Sequence, residues 1–144
     1  MIKAVIIILL FISNAQAKIN WETDLDQAFK KAEKENKLLL IYLYSPKCHY
    51  CKFMEKKVFT DRKIQEYINK NFIPVKARKC SDNGQFIKVQ YGYVGTPMFY
   101  FVDKDGELIK SIFGAWNKKD FMKILKYFAE GHYKKLPMTE YFMK

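Results

Sequence analysis

Residues 37–54 read KLLLIYLYSPKCHYCKFM and join a continuous apolar run to two cysteines. An apolar run of this length without alternation predicts a β-strand that is buried on both faces. Ser45–Pro46 ends the strand, and a helical pattern then continues past Cys51. We therefore predict that Cys48 lies in the first turn of a helix directly after a buried strand, with Cys51 one turn later.

The spacing of these two cysteines is compatible with several chemistries. A closed zinc site needs four ligands, but the chain has no second cysteine pair, and His49 would point away from a centre shared by the two sulfurs. Covalent haem attachment requires His after the second cysteine, where Lys52 stands. A copper-binding metallochaperone is an alternative, although His132 lies far along the chain in its tail.

A redox role fits the helix geometry best. Residues three apart on a helix are neighbours, so the sulfurs of Cys48 and Cys51 can reach disulfide distance. A bond between them would close a very short loop and would add little stability. The unpaired N–H groups at a helix start favour the thiolate of the first cysteine. We therefore predict that Cys48 attacks a partner disulfide and that Cys51 resolves the mixed disulfide.

The rest of the chain predicts a single α/β domain over residues 18–144, with a central mixed sheet flanked by helices. The predicted elements are a helix at 24–34 capped by Thr23, strands at 37–44, 72–77, 98–103 and 108–113, a second short helix from Thr60–Asp61, a weak helix at 84–90 and a helix at 118–130. Pro74 indicates an edge or an interruption in its strand. Residues 131–144 form a tail without a clear period, which is expected either to pack on the surface or to be mobile.

The first 17 residues have the pattern of a secretory signal peptide. Lys3 precedes the apolar run AVIIILLFI, and Ala15 and Ala17 are small residues at the positions that a signal peptidase reads. We therefore expect residues 1–17 to be removed and the mature protein to be exported. Disulfides form and persist in the compartments that exported proteins reach.

The charge of the chain is strongly basic but dispersed. The formal net charge is +11, from 26 Lys and Arg against 15 Asp and Glu, and the only arginines are Arg62 and Arg78. Proteins that read nucleic acids rely on arginines and on clustered basic stripes, so we expect no nucleic-acid partner. A preference for acidic partners, or a peripheral contact with an anionic membrane surface, stays open.

Two stretches carry a resemblance to a known family. The strand, the Cys-x-x-Cys helix start and the Gly-Thr-Pro at 95–97 before MFYFVDKDG resemble the thioredoxin fold. The stretch CKFMEKKVFTDRKIQEYINKNFIPVKA at 51–77 is similar to the exported thioredoxin-like branch that includes the C-terminal domain of DsbD and SoxW-like proteins.

The resemblance implies thiol–disulfide exchange in the bacterial periplasm, without a dissociable cofactor and without a metal. The clients would be exported proteins with cysteine pairs, and a membrane thiol redox partner would reset the protein, which we expect to be a monomer. The family also implies a cis peptide before Pro97. That geometry would place the Thr96 backbone beside the cysteines, ready to pair with substrate backbone.

Several positions around the cysteine pair depart from the family pattern. Lys47 stands where classical thioredoxins have Trp, and His49–Tyr50 replaces Gly-Pro between the cysteines. An ammonium or an imidazole near a thiolate stabilises it, which favours an oxidant. Tyr50 is expected to form a contact surface. The direction of electron flow stays open, because the similar branch contains reductants.

The position beneath the second cysteine also departs from the family. Thioredoxins bury an Asp there, and Tyr42 occupies that place in this chain. Lys76 matches the lysine of the family, and the proton of the resolving thiol is expected to pass to water or to Glu55. Cys80 follows Arg and Lys and is expected to be a free thiol, with a regulatory or intermolecular disulfide as the alternative.

Overall fold

The computed structural model describes residues 18–144, so the predicted signal peptide at 1–17 lies outside the described residues. Its centre is a mixed sheet with the strand order β2-β1-β3-β4. The strands are β1 (Leu38–Tyr44), β2 (Phe72–Arg78), β3 (Met98–Val102) and β4 (Leu108–Phe113). The α-helices are α1 (Leu25–Glu35), α2 (His49–Phe53), α3 (Arg62–Asn71), α4 (Asp82–Tyr91), α5 (Lys118–Ala129) and α6 (Met138–Met143), with a π-helical turn at Met54–Val58 and a 3-10 turn at His132–Lys134.

Strand β1 occupies the interior of the sheet and leads directly to the cysteine pair. It runs parallel to β2 and antiparallel to β3. The side chains from Leu39 to Leu43 are each 0% exposed. Such burial on both faces requires an apolar residue at every position, which is why the strand reads as a continuous apolar run. The prediction of a two-sided buried strand is confirmed.

Strand β2 is an edge strand, as Pro74 indicated. Proline has no N–H to donate to a neighbouring strand, so it is tolerated where no ladder bond is required. The outer side of β2 carries only an isolated parallel bridge between Glu22 and Val75. In that bridge the Glu22 N–H donates to the Pro74 carbonyl at 2.8 Å.

Helices cover both faces of the sheet because successive strand residues point to opposite sides. On one face, Tyr42, Phe99 and Phe101 pack with α2, α3 and α5, and the Phe101 and Phe128 rings stack at 3.7 Å between centroids. On the other face, Leu39, Ile41 and Leu43 pack with α1 and α4. The cysteine pair belongs to the first face, since Cys51 lies in that core.

Two helix starts differ from the sequence prediction. Helix α1 is capped by Asp24 rather than Thr23, because the Asp24 carboxylate accepts the N–H of Gln27 at 3.0 Å. Helix α4 begins earlier than predicted, directly after Ser81, whose hydroxyl oxygen accepts the N–H of Gly84 at 3.1 Å. In both helices a side-chain acceptor at the cap sets the first residue.

The tail packs against α5. The rings of Tyr127 and Tyr141 lie 5.2 Å apart, and the Lys123 ammonium donates to the Phe142 carbonyl at 3.0 Å. The short helix α6 has too few residues to show a period, and contacts with α5 hold it in place. Within residues 18–144, no helix has both the length and the apolar character needed to cross a membrane.

Candidate active site

Cys48 caps the helix that carries the cysteine pair. Its backbone is extended, with φ −81° and ψ 115°, and helix α2 begins at the next residue, His49. The Cys48 Sγ accepts the backbone N–H of Cys51 at 3.1 Å. The sulfur therefore replaces the Ser, Asp or Asn oxygen that usually satisfies a free N–H at a helix start. The sequence predicted Cys48 in the first turn, and the structure places it at the cap, one residue earlier.

The two thiols have opposite tendencies to ionise. Burial opposes the ionisation of Cys48, but hydrogen bonds with Cys51, Thr96 and the Tyr50 backbone together outweigh it, so the pKa of the Cys48 thiol lies below its ordinary value. Cys51 is 1% exposed. Burial and the hydrogen bond with Cys48 raise the pKa of the Cys51 thiol. The Cys48 thiol is therefore the first of the two to ionise as the pH rises, with the Cys51 thiol still protonated beneath it.

The Gly-Thr-Pro loop lies against Cys48. The Thr96–Pro97 peptide is cis, and the Thr96 carbonyl oxygen lies 3.4 Å from the Cys48 Sγ. Pro97 is buried, and its carbonyl accepts the N–H of Gly114 at 2.9 Å. The loop is therefore anchored to the end of β4, and its backbone borders the Cys48 sulfur.

An exposed apolar rim surrounds these residues. We define it as Tyr50, Val94 and Phe113, which are 63%, 74% and 54% exposed. The Phe113 ring packs on Gly95, where an added Cβ would lie 2.8 Å from the ring atom Cε2. Sequence reasoning singled out Tyr50 but missed Val94 and Phe113. The available signal was an apolar residue beside the Gly-Thr-Pro turn and another at the end of a strand.

A polar cluster lies beneath Cys51. The Tyr42 hydroxyl lies 3.4 Å from the Cys51 carbonyl oxygen and 3.4 Å from the Glu55 Oε1. The Lys76 ammonium forms an ion pair with the same carboxylate oxygen at 2.9 Å. Lys76 also lies 4.6 Å from the centre of the Tyr44 ring. The structure therefore brings together Glu55 and Lys76, which the sequence named separately.

Three other residues singled out in the sequence lie away from this cluster. Lys47 and His49 are exposed, and the His49 ring packs edge-on against Tyr50 at 5.8 Å. Cys80 is a free, exposed thiol just after β2. Among residues 18–144, no three His, Cys, Asp or Glu side chains are arranged to hold a metal ion.

Comparisons with known proteins agree with this geometry. The model of a family described as a thioredoxin-like domain matches residues 25–129. A putative disulphide isomerase from Bacteroides thetaiotaomicron is 28% identical, with a TM-score of 0.68 over 77% of this chain and 93% of that chain. The oxidised DsbD C-terminal domain from Neisseria meningitidis is 20% identical, with a TM-score of 0.58 over 76% of this chain and 97% of that chain, and shows the shared fold.

Curated relatives match only in part. Spermatogenesis-associated protein 20 from Rattus norvegicus is 33% identical over 64 residues, which is 44% of this chain and 8% of that protein. The chain thus spans less than a tenth of the length of that relative. The match of the family model over most of the domain, together with the strand order and the cysteine pair at a helix start, places this chain in the thioredoxin-like family.

Proposed function

We propose that the protein is a thiol–disulfide oxidoreductase that works through Cys48 and Cys51. The observation that carries the proposal is the position of the Cys48 sulfur, which accepts the Cys51 N–H at 3.1 Å at the helix start. A half-buried sulfur that caps a helix is stabilised as a thiolate, and the thiolate is the nucleophile in disulfide exchange.

In the reducing direction, the Cys48 thiolate attacks one sulfur of a client disulfide. A bond forms between Cys48 Sγ and that sulfur, and the other client sulfur leaves as a thiolate. Cys51 then loses its proton and attacks Cys48 Sγ, which releases the second client thiolate. The client gains two electrons and the protein is left with the Cys48–Cys51 disulfide. The oxidising direction is the reverse of these steps.

The client would dock along the Gly-Thr-Pro loop. The Thr96 backbone beside Cys48 is suited to pair with an extended client segment, as in the addition of a strand to a sheet edge. The rim of Tyr50, Val94 and Phe113 would contact apolar side chains next to the client cysteine. The positive charge of the chain, +11, would favour clients with acidic flanks.

We further propose that the protein acts in the periplasm after export through residues 1–17. Exported proteins with cysteine pairs would be its clients, and a membrane thiol partner would return it to its starting redox state. No dissociable cofactor is required, because the cysteine pair itself carries the electrons. The copper-binding alternative would use the same Cys48 and Cys51 thiols, and titration of the reduced protein with Cu(I) distinguishes it from the exchange reaction.

Trapping of mixed disulfides tests the proposal. In a Cys80→Ser background, Cys51→Ser should accumulate covalent adducts with client proteins in the exporting cell, because the resolving thiol is absent. The matched control is Cys48→Ser in the same background, which should trap nothing. If the Cys51→Ser protein forms no adducts that a reductant releases, the proposed exchange through Cys48 is wrong.

A further inference from the structure

The hydroxyl of Tyr42 occupies a special position in the core. The Tyr42 side chain is 0% exposed and lies among aromatic rings, with centroid distances of 5.4 Å to Phe99 and 5.0 Å to Phe59. Its one polar atom emerges from this apolar surface between Cys51 and Glu55, 3.4 Å from each acceptor oxygen. A buried hydroxyl is costly unless it has a hydrogen-bond partner, so the Tyr42 hydroxyl favours a position of the Glu55 carboxylate within its reach.

The charged and titratable groups around Glu55 come from three elements. Lys76 approaches from β2 at 2.9 Å, the Tyr42 hydroxyl from β1 at 3.4 Å, and Cys51 stands one turn earlier on the same helical segment. The carboxylate is half-buried, since the side chains of Lys76 and Glu55 are 29% and 35% exposed. Lys76 therefore draws Glu55 toward β2, while Tyr42 contacts it from beneath Cys51.

The proposed reaction needs a group that accepts the proton of Cys51. Burial raises the pKa of that thiol, so it carries its proton until the resolving step. Lys76 is a cation in its ion pair and cannot accept it. Burial also raises the pKa of Tyr42, so the hydroxyl stays neutral. Among the side chains that contact the Tyr42 hydroxyl, the Glu55 carboxylate is the one that can take up a proton, and it lies one helical turn beyond Cys51.

We infer that Tyr42 is a positioning residue that holds Glu55 where its carboxylate can accept the proton of Cys51. This inference rests on the proposed function. In the resolving step the Cys51 S–H bond breaks, the proton passes to Glu55, and the sulfur electron pair forms the bond to Cys48 Sγ while the client sulfur leaves. Tyr42, a neutral hydrogen-bond donor, occupies the position on β1 where the family places an Asp. The carboxylate of Glu55 lies one turn after Cys51 on the helical segment.

The test uses Ellman's disulfide as the client with the Cys80→Ser protein. The first thionitrobenzoate released reports attack by Cys48, and the second reports resolution by Cys51. Tyr42→Phe removes only the hydroxyl. We expect attack to be unchanged and resolution to be about tenfold to a hundredfold slower at neutral pH. The deficit should vanish at a pH above the Cys51 pKa, where hydroxide removes the proton without help.

Two further variants keep the test decisive. Glu55→Gln should slow resolution as Tyr42→Phe does, and the double variant should be no slower than either, because both remove one function. Tyr91→Phe removes the hydroxyl of a tyrosine on the other face of the sheet, where it donates to the Gly106 carbonyl at 2.9 Å, and should match the parent. Resolution at the parental rate in Tyr42→Phe, or an equal slowing at every pH, would overturn the inference. A parent that releases no second thionitrobenzoate would instead overturn the proposed function.

Discussion

The contribution of the Cys48 helix cap to the free energy of unfolding can be measured. In a Cys51→Ser background, which keeps the backbone N–H and a side-chain donor at position 51, we compare the parent with Cys48→Ala and Cys48→Ser. The Cys48 Sγ accepts that N–H at 3.1 Å. Removal of an N-cap acceptor costs about 1 kcal/mol, so Cys48→Ala should unfold about 1 kcal/mol more easily. For a domain of this size, that corresponds to a fall in Tm of roughly 4 °C.

The pH dependence of the same comparison isolates the thiolate. The pKa of Cys48 is lowered in the folded protein, so the folded state binds fewer protons than the unfolded state between the folded and unfolded pKa values. The thiolate therefore stabilises the fold fully above the unfolded pKa of about 8.5. That stabilisation is lost as the pH falls through the folded pKa. Cys48→Ser has an oxygen acceptor that does not titrate in this range, and it should lack the effect.

Urea unfolding at a series of pH values, with fluorescence as the probe, gives the free energies of the three proteins. We expect the difference between the Cys51→Ser parent and Cys48→Ser to grow in favour of the parent as the pH rises. Cys48→Ala should be the least stable of the three throughout. A difference that is flat with pH, or that grows as the pH falls, would refute the assignment of Cys48 as a stabilised thiolate.

The remaining predictions concern thiol reactivity and the tail. At about pH 6.5, below the ordinary thiol pKa, iodoacetamide should modify Cys48 before the more exposed Cys80, and buried Cys51 last. Peptide mass mapping measures this order. Faster labelling of Cys80 would contradict the lowered pKa of Cys48. Phe142→Ala removes a half-buried ring that packs against α5 and should cost about 1–2 kcal/mol in thermal or urea unfolding. Met143→Ala, at an 81% exposed neighbour, is its control, and equal stability of the two variants would mean that the tail does not contribute to the fold.

Much of the fold could be predicted because the deciding signals are local. The apolar run of β1 requires burial on both faces, and the break at Ser45–Pro46 places the cysteines at the next helix start. Pro74 marked the sheet edge through its missing N–H. The tail was harder, since α6 has only 6 residues and its position depends on contacts with α5 rather than on its own periodicity.

The position of the cysteine pair was predictable, but the residues that surround it were less so. The proximity of Cys48 and Cys51 follows from helix geometry, because residues three apart are neighbours on a helix. The contact of Glu55 with Lys76 joins residues from different elements, and the place of Tyr42 beneath them depends on the register of β1 against the helix. No sequence pattern marks Val94 and Phe113 as rim residues, because they come together only where the cis-proline loop packs against the end of β4.

The hydrogen bond from the Cys51 N–H to the Cys48 sulfur caps the helix and also affects the redox potential of the cysteine pair. The disulfide form has no thiolate at the helix start, so whatever free energy the Cys48 thiolate contributes belongs to the dithiol form alone. By a thermodynamic cycle, each ~1.4 kcal/mol by which the dithiol fold exceeds the disulfide fold in stability makes the pair about 30 mV more oxidising. The capped sulfur therefore shifts the potential of the pair toward the oxidising side, and the relative stability of the two forms decides the direction of electron flow. A disulfide form that resists unfolding better than the dithiol form would assign the protein to the reducing direction.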